Sequence, residues 1–135
     1  KISHLFDEDV AKLLQRTELT CLDFEDLLKD LELTERDFLF LDPPYDTDFS
    51  DYEGKSFDRD DQKRLADFLK QTKARFLLVI KNTAYIYSLY QEGFRLLSFD
   101  NHYTYNMRSR NDRKTEHLLV TNIPEEEIPW NRENC

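Results

Sequence analysis

The apolar positions of the chain follow two rhythms that take turns. Phe6, Val10, Leu13 and Leu14 recur at helical spacing, which predicts an amphipathic helix over residues 5–15. ELTCLDF, over 18–24, predicts a short strand, with Cys21 behaving inside it as a small core hydrophobe. Leu27, Leu28 and Leu31 mark a second helical face, and FLFL, over 38–41, reads as a strand. After a polar loop, Asp58, Asp60 and Asp61 put negative charge where a helix N-terminus favours it, and Leu65, Phe68 and Leu69 form the apolar side of that helix. FLLVI, over 76–80, is apolar at every position, the pattern of a strand covered on both sheet faces. Ile86, Leu89 and Tyr90 predict another helix, closed by Gly93, before the strands FRLLSF (94–99) and HLLVT (117–121).

Strands separated by helices of this length need crossover connections, so the expected fold is α/β, three-layered, with a mostly parallel sheet. No repeat or linker interrupts residues 1–123, which read as one domain. The remainder, 124–135, holds Pro124, Pro129 and three successive glutamates and is expected to be an acidic surface tail.

Composition narrows the choice of partners. The net charge of −9, with 35% charged residues, disfavours a non-specific grip on a polyanion and leaves only a local basic patch as an option. Two cysteines, Cys21 and Cys135, make neither a disulfide framework nor a metal cluster, which points to a reducing compartment. His4, His102 and His117 have no metal-ligand spacing, so no metal is expected and all three are read as structural or exposed. No apolar run has the length of a membrane span, and a soluble, cytoplasmic protein is expected.

The most unusual stretch is DFLFLDPPYDTDF, residues 37–49, where an apolar strand stops at Asp42-Pro43-Pro44-Tyr45. In open α/β sheets, ligands collect beyond the carboxyl ends of the strands, where this tetrapeptide lies. Proline fixes its own φ and restricts the residue before it, and it has no N–H. Asp42 and the proline carbonyls therefore make a rigid cluster of acceptors, followed by an aromatic ring. Such a cluster suits a planar group with an exocyclic amine, for which an adenine base qualifies, with Tyr45 stacking on its ring. The bland alternative is a strand terminator with Tyr45 capping the core. The acid before, the ring after and the apolar strand upstream favour the binding reading.

These residues carry a family resemblance. DFLFLDPPYDTDFSDYEGKSF resembles the DPPY motif and following loop of the Dam-type (D12 class) DNA adenine-N6 methyltransferases. FSDYEGKSF (49–57) is similar to the loop after DPPY, LTCLDF (19–24) to a strand end bearing an acid–aromatic pair, and RKTEHLLVTN (113–122) to the terminal antiparallel strand.

The resemblance implies the C-terminal half of a Rossmann-like, S-adenosylmethionine-dependent methyltransferase fold, whose mostly parallel sheet has a terminal antiparallel strand. It implies catalytic roles for Asp42, Pro43, Pro44 and Tyr45, acting on an adenine flipped out of double-stranded DNA. Asp23, Phe24 and Asp42 would face the cofactor, S-adenosylmethionine. Tyr45, Phe49 and Tyr52 would contact the base. Lys81 and Asn82, which end a strand, would either reach the pocket or be solvated. Arg108 and Arg110, in the basic run with Arg113 and Lys114 and downstream of Tyr103 and Tyr105, would either contact phosphates or form a solvated hairpin.

The departures concern the cofactor. The family's Phe-x-Gly-x-Gly turn is absent, because the chain has only Gly54 and Gly93. The target-recognition region has no counterpart either. Together with a first residue that is Lys1 rather than Met, this leads us to expect a piece of a longer protein that needs its amino-terminal half, or another chain, to complete the sheet. Rival readings are a non-catalytic assembly or DNA-binding module, and an enzyme acting on cytosine N4 or RNA adenine.

Overall fold

The computed structural model describes residues 8–46, 57–100 and 116–127. It comprises two compact units, Lys1–Leu31 and Glu32–Cys135.

The first unit contains α1 (Glu8–Gln15) and α2 (Phe24–Asp30). α1 carries acids in its first turn and Lys12 in its last, the arrangement its dipole favours, yet buries no residue. Its apolar side chains Val10, Leu13 and Leu14 are all exposed. The expected strand over 18–24 does not form. Residues 18–22 have no regular structure, and Asp23 caps α2 by accepting from the Glu25 N–H at 2.9 Å. A strand needs a neighbour to share its hydrogen bonds, and a cap supplied locally by Asp23 wins instead. Cys21, expected in a core, is exposed for the same reason.

Among the described residues the second unit holds one sheet, built from β1 (Phe38–Leu41), β2 (Arg75–Lys81), β3 (Arg95–Asp100) and β4 (Glu116–Thr121), with α3 (Arg59–Gln71) and α4 (Ala84–Tyr90) in the connections. The strand order is β1-β2-β4-β3. β1 pairs parallel with β2, while β4 is antiparallel to both β2 and β3. The expectation of a mostly parallel sheet is therefore corrected: two of the three pairings are antiparallel. The cause is the insertion of β4 between β2 and β3. Those two strands run the same way but do not pair with each other.

Asp58 starts α3 with a reciprocal cap. Its carboxylate accepts from the Asp61 N–H at 2.9 Å, and the Asp61 carboxylate accepts from the Asp58 N–H at 3.1 Å. The helix buries Gln62, Leu65, Ala66 and Leu69, which share one stripe. α4 is capped by Thr83 and buries Ile86 and Tyr90. It ends at Gln91, and Gly93 follows in the turn with φ +85°, a conformation that suits glycine.

Phe76, Leu78 and Ile80 of β2 are fully buried, as is Val120 of β4, with Leu118 nearly so. Leu77 and Val79 are only half-buried, so β2 is covered fully on one face and partly on the other, not on both as its composition predicts. The partly covered face shows at the edge, where Phe38 and Phe40 of β1 are 55% and 64% exposed. Asn122 clasps the start of β2: its Oδ1 accepts from the Phe76 N–H at 3.0 Å and its Nδ2 donates to the Ala74 carbonyl at 2.9 Å. The first part of the tail is a short 3-10 turn, Glu125–Glu127, held by ion pairs from Arg75 to Glu127 and from Arg95 to Glu125. No helix among the described residues is long and apolar enough to cross a membrane.

Candidate functional site

Sheet direction decides what gathers around the tetrapeptide. β1 and β2 are parallel, so Asp42 and the Lys81-Asn82 pair both follow carboxyl ends on the same side of the sheet. β4 runs the other way, which brings its first residues, Glu116 and His117, to that side. His117 stands in register with Lys81 on one flank and with Phe99 on the other.

Asp42 and Pro44 are exposed, while Pro43 and Tyr45 are half-buried. The chain leaving β1 is then fastened at successive residues. Gln62 of α3 donates from Nε2 to the Pro44 carbonyl at 2.7 Å. The Tyr45 hydroxyl lies 3.2 Å from His117 Nε2, and the two rings meet edge to face at 5.8 Å. Phe99 stacks on the imidazole at 5.5 Å. Asp46 accepts from Arg59 at 3.1 and 3.3 Å and from the Thr83 hydroxyl at 3.2 Å, which ties this loop to the beginnings of both α3 and α4. Arg59 is itself braced, its guanidinium 4.8 Å from the Tyr85 ring centre and its carbonyl accepting from the Tyr85 hydroxyl at 2.6 Å. Burial, with the nearby Asp60 carboxylate, raises the pKa of that hydroxyl.

Chemically, this end of the sheet offers an exposed carboxylate, a proline-rich backbone poor in N–H donors, and an aromatic ring held at its rim. Lys81 and Asn82 are half-buried beside it. Asp23 and Phe24 lie in the other unit, Asp23 exposed and Phe24 half-buried. Phe49, Tyr52, Arg108 and Arg110 fall outside the described residues, as do Arg113, Lys114, Tyr103, Tyr105, His4 and His102. Among the described residues no group of His, Cys, Asp and Glu could hold a metal ion.

Two residues here were not singled out as functional from the sequence. Gln62 had a signal, since a polar residue occupies the first position of the stripe shared with Leu65, Ala66 and Leu69. His117 had one too: once the last strand is antiparallel, its beginning must lie where the other strands end.

Comparisons with known proteins place the chain among DNA methyltransferases by sequence. The chain is 38% identical over 88 residues to the type II methyltransferase M.CviBI of Paramecium bursaria Chlorella virus NC1A, covering 63% of this chain and 34% of that protein. It is 34% identical over 102 residues to the retron Ec67 DNA adenine methylase of Escherichia coli, covering 73% and 33% respectively. It is 31% identical over 104 residues to the type II methyltransferase M.MjaIII of Methanocaldococcus jannaschii, covering 68% and 35%. The chain thus spans about a third of the length of these relatives. The family model of D12 class N6 adenine-specific DNA methyltransferases matches residues 7–114, from α1 through the tetrapeptide and β3, and the chain belongs to that family.

Proposed function

We propose that this chain is the base-holding part of an S-adenosylmethionine-dependent enzyme that methylates N6 of adenine in double-stranded DNA, built on a Rossmann-like sheet that other polypeptide completes. The single observation that carries the reading is the acceptor cluster Asp42-Pro43-Pro44, followed at once by the Tyr45 ring anchored through its hydroxyl.

The mechanism rests on what these residues can accept. The adenine leaves the duplex stack, because its amine is unreachable inside it. Tyr45 stacks on the extruded base, a contact of ~1–3 kcal/mol. The Asp42 carboxylate and the Pro43 carbonyl accept the two N6 hydrogens and draw the nitrogen lone pair out of conjugation with the ring. As the N6 lone pair takes up a methyl group, whose bond to the donor's sulfur would break, positive charge would grow at N6. The Asp42 carboxylate would stabilise it in place until one N6 proton passes to solvent. No covalent enzyme intermediate is required, so positioning supplies much of the acceleration.

Two residues of the first unit suit part of the cofactor. Asp23 offers a solvent-exposed carboxylate whose Oδ1 takes the Glu25 N–H, and Phe24 offers a ring. That set suits an amine-bearing base, so Asp23 and Phe24 would border the cofactor's adenine. S-adenosylmethionine, when bound, supplies an electrophilic methyl group. Phe49 and Tyr52 would add base contacts, Lys81 and Asn82 would line the pocket, and Arg108 and Arg110 would contact phosphates.

The test is a methyl-transfer assay with labelled S-adenosylmethionine and duplex DNA, run with the chain alone and with an added amino-terminal polypeptide from a relative. We expect N6-methyladenine in the digested DNA from the combined sample and little or none from the chain alone. Labelled N4-methylcytosine, or no product from a folded, associated pair, would overturn the reading.

A further inference from the structure

Two buried polar side chains hold the Pro44-Tyr45 segment without being exposed to anything that could be bound there. Gln62 is 1% exposed and His117 5% exposed. Each uses one polar atom on the tetrapeptide: Gln62 Nε2 on the Pro44 carbonyl at 2.7 Å, His117 Nε2 at the Tyr45 hydroxyl at 3.2 Å. Each also leaves its other polar atom, Gln62 Oε1 and His117 Nδ1, buried with no hydrogen-bond partner among the described residues. A buried polar atom without a partner is destabilising. Packing alone would favour other residues: a leucine at 62 would extend the stripe of Leu65, Ala66 and Leu69, and a phenylalanine at 117 would stack on Phe99 just as well. The cost is understandable if the paired atom does something that packing cannot.

We propose that Gln62 and His117 are positioning residues for Tyr45. Gln62 fixes the peptide carbonyl immediately before the tyrosine, and His117 fixes the far end of its side chain. With backbone and hydroxyl both tied, the ring is held in one orientation before any base arrives, so little side-chain freedom remains to be lost on stacking. The pairing also makes a tyrosine, rather than a phenylalanine, the required residue at 45. This inference rests on the reading of Tyr45 as a base-stacking ring, and its test separates the two.

The folded chain is titrated into a single-stranded oligonucleotide carrying one 2-aminopurine in an adenine tract, and stacking is read as loss of 2-aminopurine fluorescence. Tyr45→Phe, His117→Phe and Gln62→Leu are each expected to weaken the apparent affinity by about threefold to tenfold, the range one hydrogen bond provides. The double variant Tyr45→Phe/His117→Phe should be no weaker than either single change, because both remove the same bond. His117→Gln, whose amide can return a donor or an acceptor to the place of Nε2, should recover part of the loss. An additive double variant, or unchanged affinity in His117→Phe and Gln62→Leu, overturns the proposal. Absence of quenching by the unaltered chain counts against the stacking role of Tyr45, and the positioning claim is then decided by the NMR signals of the Tyr45 ring. One set of ring shifts in the unaltered chain, averaged or displaced in both His117→Phe and Gln62→Leu, supports it. Identical shifts in all three proteins overturn it.

Discussion

The Tyr45 hydroxyl and His117 Nε2 lie 3.2 Å apart although 72 positions separate the residues in sequence. The contact exists because β4 enters the sheet in reverse, so a residue at its start meets a residue just past the end of β1. A wholly parallel sheet would put the beginning of its last strand at the opposite end.

The Asp42 carboxylate is assigned chemistry rather than support, and its exposure makes the two separable. In a methylation-competent enzyme carrying this chain, Asp42→Ala should lower the methyl-transfer rate by about 10²–10³, the loss seen when one preorganised charge-stabilising group is removed. The urea midpoint of the isolated chain should stay unchanged. A midpoint shift as large as the activity loss would make Asp42 structural.

Asn122 satisfies two backbone groups at the start of β2, the Phe76 N–H and the Ala74 carbonyl. Asn122→Ala leaves both without that partner and should destabilise the second unit by about 2–4 kcal/mol. Asn122→Asp keeps the acceptor and should cost less. Chemical denaturation of the three proteins checks the order.

Tyr90 is fully buried and its hydroxyl has no hydrogen-bond partner among the described residues. Burial, and to a lesser degree Tyr85, raises its pKa far above the ordinary 10.0. The folded protein therefore keeps Tyr90 neutral at pH values where the unfolded chain has begun to ionise it. Its contribution to stability is complete below pH 10.0 and is lost as the pH rises further. Tyr90→Phe removes both the unpaired hydroxyl and this loss. It should leave stability at neutral pH unchanged or higher by up to about 1 kcal/mol, and flatten the alkaline decline in melting temperature.

The start of α3 depends on the reciprocal cap between Asp58 and Asp61. Asp58→Ala should cost about 0.5–2 kcal/mol, and Asp58→Asn, which can still accept from the Asp61 N–H, should recover most of it. Because Arg59 and Gln62 both lie in the first turns of this helix, fraying there should also broaden the NMR signals of residues 44–46.

The elements most legible in the sequence are those whose partners lie within the chain. The α3 stripe, the acidic helix start and strands β1 to β4 carry enough local pattern to be found without tertiary context. The tetrapeptide stood out because prolines, an acid and a ring together constrain geometry and chemistry at once. What misled was dependence on neighbours. LTCLDF has the composition of a strand but pairs with none of the described strands, and Asp23 ends up as a helix cap. FLLVI looks covered on both faces, yet only the Phe76, Leu78 and Ile80 side is. Gln62 shows locally only as a polar residue in an apolar stripe, and His117 only once the last strand is known to run in reverse. The bond each makes to the tetrapeptide is long-range, and no local periodicity names its partner.

Phe38 and Phe40 give β1 a greasy outward side, on a strand that is the first in the sheet order and pairs only with β2 among the described residues. Such an edge invites adhesion between molecules. What opposes it in solution is mutual repulsion, a net charge of −9 carried by a protein whose isoelectric point is about 4.8. The colloidal behaviour should therefore be steeply acid-sensitive. Clear at neutral pH and low salt, the isolated chain should turn turbid as the pH approaches 4.8, and earlier at high ionic strength. Phe38→Lys/Phe40→Glu should keep it clear through the same titration, making the apolar rim of one strand the determinant of how the whole molecule is handled.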